Sequence, residues 1–288
     1  MTWVNAVVQG ILLGGLYALF ACGLSVMFGV MRIINLAHGD LGILAAFLAL
    51  SCTSVAGMTP LWAVLVVVPA MALLGYAMQR VLFFRILTAS PFSPVLATFG
   101  VSIIIQNLLL EHYSADSHSL DVGRLASASL RITGQVSVAY LSLFSFVLAA
   151  LVLAALGLFL TRTGLGRMMR ACADDPEAAE LTGADSRHVY GVATAIAFAT
   201  VALAGLLFAM RSSFSPAAGP ARLLFAFEAV VIGGLGSLWG TLLGGIVLGL
   251  AQTLGAQVDP AFTLIFGHAI FLAVLAFRPK GLIAGRVT

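Results

Sequence analysis

Charge is what this sequence has least of: Asp, Glu, Lys and Arg make up 9% of its 288 residues, against about 25% in soluble domains. Lysine is nearly missing; the only one, Lys280, lies in Arg-Pro-Lys-Gly. A phosphate-binding loop needs Gly-x4-Gly-Lys-Ser/Thr, so ATP hydrolysis by that chemistry is excluded for this chain. Cysteine is sparse. Cys22, Cys52 and Cys172 lie far apart, giving neither a disulfide framework nor a CxxC metal pattern. No charge precedes Arg32, so the basic leader of a cleavable signal peptide is not expected.

What is abundant is apolar surface: 61% hydrophobic residues and a mean hydropathy of +1.10. A chain this short cannot hide so much in one water-surrounded core. Lipid is therefore the expected solvent, and backbone groups in lipid must be satisfied within helices or closed barrels. Barrel strands alternate apolar and polar over about ten residues. The runs 60–76, 140–160 and 261–277 are instead long and unbroken, as helices of about 20 residues require. The sequence predicts an all-α, polytopic membrane protein, one domain over 1–288. Spans are expected near 4–31, 41–57, 60–79, 94–110, 138–161, 189–210, 223–236, 238–257 and 261–277. The long first stretch can be one helix or a split one, and the Gly-rich 232–250 region one bent element or two, which leaves eight to ten spans.

Orientation follows from where the cations fall. Placing 162–188 inside gives that side ten of the fourteen: Arg32, Arg80, Arg85, Arg162, Arg167, Arg170, Arg187, Arg278, Lys280 and Arg286. Arg124, Arg131, Arg211 and Arg222 remain outside, with the external loop 111–137. The net charge of +3 and pI near 9.0 thus reflect cytoplasmic loops and do not call for nucleic acid. With nine spans the N-terminus is outside and the C-terminus inside.

The inner insertion carries a strong local pattern. Asp175 suits an N-cap and Pro176 the first helical position; Glu177 and Glu180 favour the positive end of a helix. Gly183 suits a left-handed stop. Two turns, about 10 Å long, are marginal alone in water, so something should hold them. One reading is a capped surface helix; the other is a coupling helix that docks on a cytoplasmic partner.

Other residues also carry two readings. Asn35, His38 and Asp40 between the first two spans fit either a broken-helix substrate site or an interfacial turn with Asp40 capping the next helix; nearby Arg32 favours the turn. Glu228 in an apolar run needs a partner if buried, either Arg211, Arg222 or a substrate ammonium group. Otherwise it is interfacial. Gln106, Asn107 and Gln252 are candidates for lining a translocation path or for bridging helices. Gly236, Gly240 and Gly244, four apart, are expected to share a face and admit a neighbouring helix closely. His112, Asp116 and His118 belong to a solvated outer loop rather than a zinc site. No metal or cofactor is expected.

Glu177-Ala178-Ala179-x-x-x-Gly183 resembles the EAA-x3-Gly loop of ABC importer permeases, whose role is contact with an ATPase subunit. The I-x-L-P continuation of that pattern is absent, which points away from sugar-type permeases. Ile34-Asn35-Leu36-Ala37-His38-Gly39-Asp40, Ala226-Phe227-Glu228-Ala229 through Ser237, and Phe277-Arg278-Pro279-Lys280-Gly281-Leu282 resemble the LivH-type permeases of branched-chain amino acid ABC importers. The segments follow the family's order over nearly the whole chain, with His-Gly-Asp where His-Gly-Glu is common. The resemblance implies a non-catalytic permease in a bacterial inner membrane. Its implied partners are a homologous permease subunit, two cytoplasmic ATP-binding subunits and a periplasmic substrate-binding protein. Urea or short amides are alternative cargoes within the family. An ion-coupled carrier acting alone is the rival of another class, and would need paired ionisable groups deep in the spans.

Overall fold

The computed structural model describes residues 3–87, 92–123, 125, 128–133 and 136–283; Arg124 and Arg286 of the charge count lie outside them. The long helices are α1 (Trp3–Met31), α2 (His38–Ala56), α3 (Pro60–Met78), α4 (Ser93–Tyr113), α5 (Tyr140–Arg162), α8 (Ser186–Arg211), α9 (Gly219–Gly233), α10 (Leu238–Val258) and α11 (Phe262–Phe277). α3 continues through a π turn, Gln79–Phe83, into a last turn, Phe84–Leu87. Two short helices, α6 (Gly164–Asp174) and α7 (Pro176–Leu181), fill the 162–188 insertion. Among the described residues eight helices are long and apolar enough to cross a membrane, and α11 is a shorter apolar one. Each of the nine expected spans corresponds to a helix.

α1 sits at the centre and is one continuous helix. It packs on α10, α8, α9 and α5. Its contact with α10 depends on missing side chains. A Cβ on Gly14 would lie 2.5 Å from the Ile246 backbone, and one on Gly10 would lie 2.9 Å from that of Leu250. Opposite, Gly245 and Gly249 of α10 face the α1 backbone. Helices close this far where small residues, here mostly glycine, meet on both sides. Outer helices show a narrower buried stripe. In α3 the buried residues Ala63, Val67, Met71 and Gly75 recur every four positions and face α8, while Leu65, Val66 and Leu73 point outward.

The Gly-rich region is two helices. α9 stops at Gly233, and Gly234 (φ 113°) and Gly236 (φ 82°) make the turn before α10. Gly236 therefore does not share a helix face with Gly240 and Gly244, as its spacing suggested; it occupies backbone space that side-chain-bearing residues avoid. Gly240 and Gly244 do admit α9, against Gly233 and Ala229.

The 111–137 region, expected as an external loop, holds regular structure. α4 continues to Tyr113, and β1 (Ser129–Thr133) pairs antiparallel with β2 (Val136–Ala139). The alternation of Val136, Ser137 and Val138 suits a strand. This hairpin accompanies an otherwise helical chain.

Hydrogen bonds gather the connections at two ends of the bundle. At one end Gln9 Nε2 donates to the Ser137 carbonyl at 2.8 Å, and His118 and Phe214 exchange backbone bonds of 2.8 Å. At the other, Leu282 and Ile283 donate to the Ile232 and Gly233 carbonyls at 2.9 and 3.0 Å. The Phe277–Leu282 motif thereby closes the end of α9, whose last carbonyls have no partner within their own helix.

Candidate functional site

Three places carry the polar residues singled out by the sequence. The first lies between α1 and α2. Residues 32–37 are not helical and fold back into the bundle, with Ile33, Asn35 and Ala37 buried. His38 is fully buried and its Nε2–H donates to the Phe20 carbonyl at 2.9 Å. Phe20 lies about 16 Å up α1 from Met31, at 1.5 Å per residue. The segment is therefore not an interfacial turn, which corrects the reading drawn from Arg32. A side chain on Gly23 would collide with His38, Ala197 and Thr200, so α1 is notched to receive the ring.

Asp40 does not cap α2 either. Ala37 holds the N-cap position, and Asn35 Oδ1 accepts the Ala37 N–H at 3.0 Å. The Asp40 carboxylate reaches across to α4, where Ser102 Oγ donates at 2.6 Å and Gln106 Nε2 in turn donates to Ser102 at 3.1 Å. Leu36 N–H donates to Thr98 Oγ1 at 3.1 Å. This broken start of α2 thus carries three buried polar side chains, Asn35, His38 and Asp40, and Ser102 links Asp40 to the half-buried Gln106. His38 Nδ1 and Asp40 Oδ1 have no hydrogen-bond partner. Asn107 stands apart, exposed on α4 and bonded to its own Ile103 carbonyl at 2.8 Å.

The second place centres on Glu228 of α9, which is 1% exposed. Its partner is neither Arg211 nor Arg222: His268 of α11 meets Glu228 Oε1 through Nδ1 at 2.5 Å. Arg222 instead lies over the rings of Phe208 and Phe225, 4.2 and 5.5 Å from their centroids. Gln252 belongs to the same region, accepting a 2.5 Å bond from the Tyr17 hydroxyl. Phe225 stacks on His268 and tilts against Tyr17, so α1, α9, α10 and α11 converge there.

The third place is the 162–188 insertion. Asp175 caps α7 by accepting the Ala178 N–H at 3.1 Å, Pro176 opens the helix, and Gly183 (φ 94°) follows its end. Only Ala179 of its six residues is buried; Leu181 is 91% exposed. Glu180 accepts a bond from Ser186, and α6 packs behind α7. Within α6, Thr163 Oγ1 caps by accepting the Gly166 N–H at 3.0 Å, and Met169 and Cys172 face inward. Local capping holds α7 in place, and its outer surface is bare.

Among the described residues no three His, Cys, Asp or Glu side chains converge as metal ligands would. His118 packs on Phe47 and Phe214. The arrangement is one of buried polar groups within apolar helices plus the exposed surface of α7.

The sequence matches the family of branched-chain amino acid transport system permease components over residues 6–275. The chain belongs to that family. It is 29% identical to the BraD permease protein of a high-affinity branched-chain amino acid transport system from Pseudomonas aeruginosa, covering 98% of this chain and 95% of BraD. It is 28% identical to LivH of Escherichia coli, over 96% of this chain and 93% of LivH. LivM of Escherichia coli is 34% identical over 47% of this chain and 33% of LivM.

In this permease the sequence motifs fall on parts that meet. Ile34–Asp40 forms the broken start of α2, Ala226–Ser237 carries Glu228 and the turn into α10, and Phe277–Leu282 closes α9. Sequence reasoning missed His268 and Tyr17. His268 had a signal, as the one ionisable group inside the apolar 261–277 run. Tyr17, an aromatic residue in an apolar helix, had none.

Proposed function

We propose that this chain is one membrane half of an ATP-driven importer for branched-chain or related amino acids, in a bacterial inner membrane. It pairs with a homologous membrane subunit and is driven by two cytoplasmic ATP-binding subunits, with cargo delivered by an extracytoplasmic binding protein. The observation that carries this reading is α7, a capped helix of two turns whose surface, Leu181 included, is exposed in a chain of the permease family. Closure of the ATP-binding subunits moves α7 with α6, and α6 packs on α1, α5 and α8. A push at α7 thus reaches the central helix. The permease does no bond chemistry; it converts differential binding into a shift between two states. Asp175 to Glu180 and Gly183 form the contact, while Asn35, His38, Gln106, Glu228 and Gln252 belong to the cargo path.

Reconstitution in proteoliposomes tests this. Uptake is expected only with ATP, the ATP-binding subunits and a loaded binding protein. Glu177→Lys and Gly183→Trp are expected to weaken ATPase association while membrane insertion stays intact; normal assembly and transport by both would remove the coupling role. One observation favours a second reading. Glu228 and His268 form the paired ionisable groups that an ion-coupled carrier needs. Uptake by the chain alone, without ATP, would decide for that carrier.

A further inference from the structure

Ten buried side-chain nitrogen or oxygen atoms among the described residues have no hydrogen-bond partner. Four of them, Arg211 Nη1, Arg222 Nε, Glu228 Oε2 and Gln252 Nε2, belong to one region. Both guanidinium groups and the Glu228 carboxylate lie within electrostatic range of the Tyr17 hydroxyl, and Gln252 accepts its hydrogen bond. A buried polar group without a partner is costly, and an ionised one within a membrane span more so. Four together indicate a missing partner that offers both an anionic acceptor and a cationic donor.

The geometry orders the two signs along one helix. Arg222 lies near the start of α9 and Glu228 six positions later, about 9 Å deeper at 1.5 Å per residue. Phe225 stands between them, packed on Tyr17 and His268. His268 occupies Oε1 of the carboxylate, leaving Oε2 free to accept. From these contacts we infer that this region is a binding site for the zwitterionic head of an α-amino acid. Glu228 Oε2 accepts from the ammonium group, Arg222 donates to the carboxylate, and the apolar cargo side chain lies against Phe225. His268 and the Tyr17–Gln252 pair are positioning residues. The site rests on the importer reading and names the cargo chemistry it would handle. A lipid phosphate supplies only the anionic half and leaves Glu228 Oε2 unmet.

The test uses the intact transporter complex without its binding protein, probed by saturation-transfer NMR. The ligands are leucine, isopentylamine (which lacks the carboxylate) and 4-methylpentanoate (which lacks the ammonium group). Leucine is expected to bind, with each half-analogue weaker by about ten-fold, the loss of one charged contact. Arg222→Gln and Glu228→Gln are each expected to lower leucine binding by a similar factor. In Arg222→Gln the preference over 4-methylpentanoate is kept and that over isopentylamine lost; in Glu228→Gln the reverse holds. Equal binding of all three ligands, or unchanged binding in both variants, overturns the site. If Glu228→Gln does not assemble, the half-exposed Arg222 still carries the comparison. Uptake by the same preparations, reconstituted in proteoliposomes with ATP and a loaded binding protein, separates the two readings. Loss of ATP-dependent uptake in the wild-type complex removes the importer, whereas intact uptake with unselective binding removes only this site.

Discussion

At the scale of single residues, the molecule depends on side chains that are absent or paired across long stretches of chain. Gly39 is an example: a Cβ there would lie 2.7 Å from Leu223 N and overlap the Gly219 carbonyl, while one on Gly219 would overlap the Asp40 carboxylate. Gly39→Ala and Gly219→Ala are each expected to cost about 1–3 kcal/mol by overpacking, read as a lower thermal unfolding midpoint in detergent. Asn107→Ala, on the exposed face of α4, should leave that midpoint unchanged. Cys172 makes a different prediction. Burial raises its thiol above the ordinary cysteine range, and the Glu180 carboxylate adds to the rise. The thiolate is the reacting form, so a raised pKa depletes it at neutral pH. Maleimide labelling of Cys172 should be slow at neutral pH and climb only above the ordinary value of about 8.5. Fast labelling at neutral pH would show that α6 does not hold it buried.

At the scale of elements, α7 and the α1–α10 contact bear the most weight. The Asp175 cap satisfies one of the orphan donors of a helix too short to stand alone. Asp175→Ala is expected to remove about 1 kcal/mol, lowering transport per ATP hydrolysed while Asp175→Asn retains it. Equal coupling ratios in both variants would mean the cap has no part in transmission. Between α1 and α10, Gly14→Leu or Gly249→Leu must force the backbones apart, and expression of folded protein is expected to fall sharply. The same substitution at Gly100, where nothing lies within 4 Å, is the control. These elements differ in legibility. The cap, proline and stop of α7 are adjacent in sequence and act locally, so its bounds could be read directly. The glycines of α10 serve two neighbours, α1 through Gly245 and Gly249 and α9 through Gly240 and Gly244, and spacing alone does not say which residues serve which.

At the scale of the whole molecule, the two ends of the bundle are chemically distinct. The Gln9–Ser137 and His118–Phe214 bonds tie connections at one end, and the 282–283 backbone closes α9 at the other. With α7 inside, an impermeant thiol reagent applied to intact cells should label Asp121→Cys and not Glu177→Cys, in a background lacking the three native cysteines. Labelling of Glu177→Cys from outside would invert the topology. Both positions are exposed, so failure to label reports the side of the membrane rather than burial.

The sequence by itself determined the solvent, the helical class, the spans to within a few residues and the capped α7. Each of these rests on composition or on neighbours in the chain. Only the tertiary structure decided that residues 32–37 fold back to place His38 beside Phe20, that Asp40 reaches Ser102, and that Glu228 meets His268 instead of an arginine. The physical reason lies in the solvent. In water the outward face of a helix is polar and the inward face apolar, so periodicity reveals which side packs. In lipid both faces are apolar, and that signal vanishes from helices such as α1 and α5. Which buried polar groups meet is then fixed by packing between helices, as in the Tyr17–Gln252 bond across 235 positions.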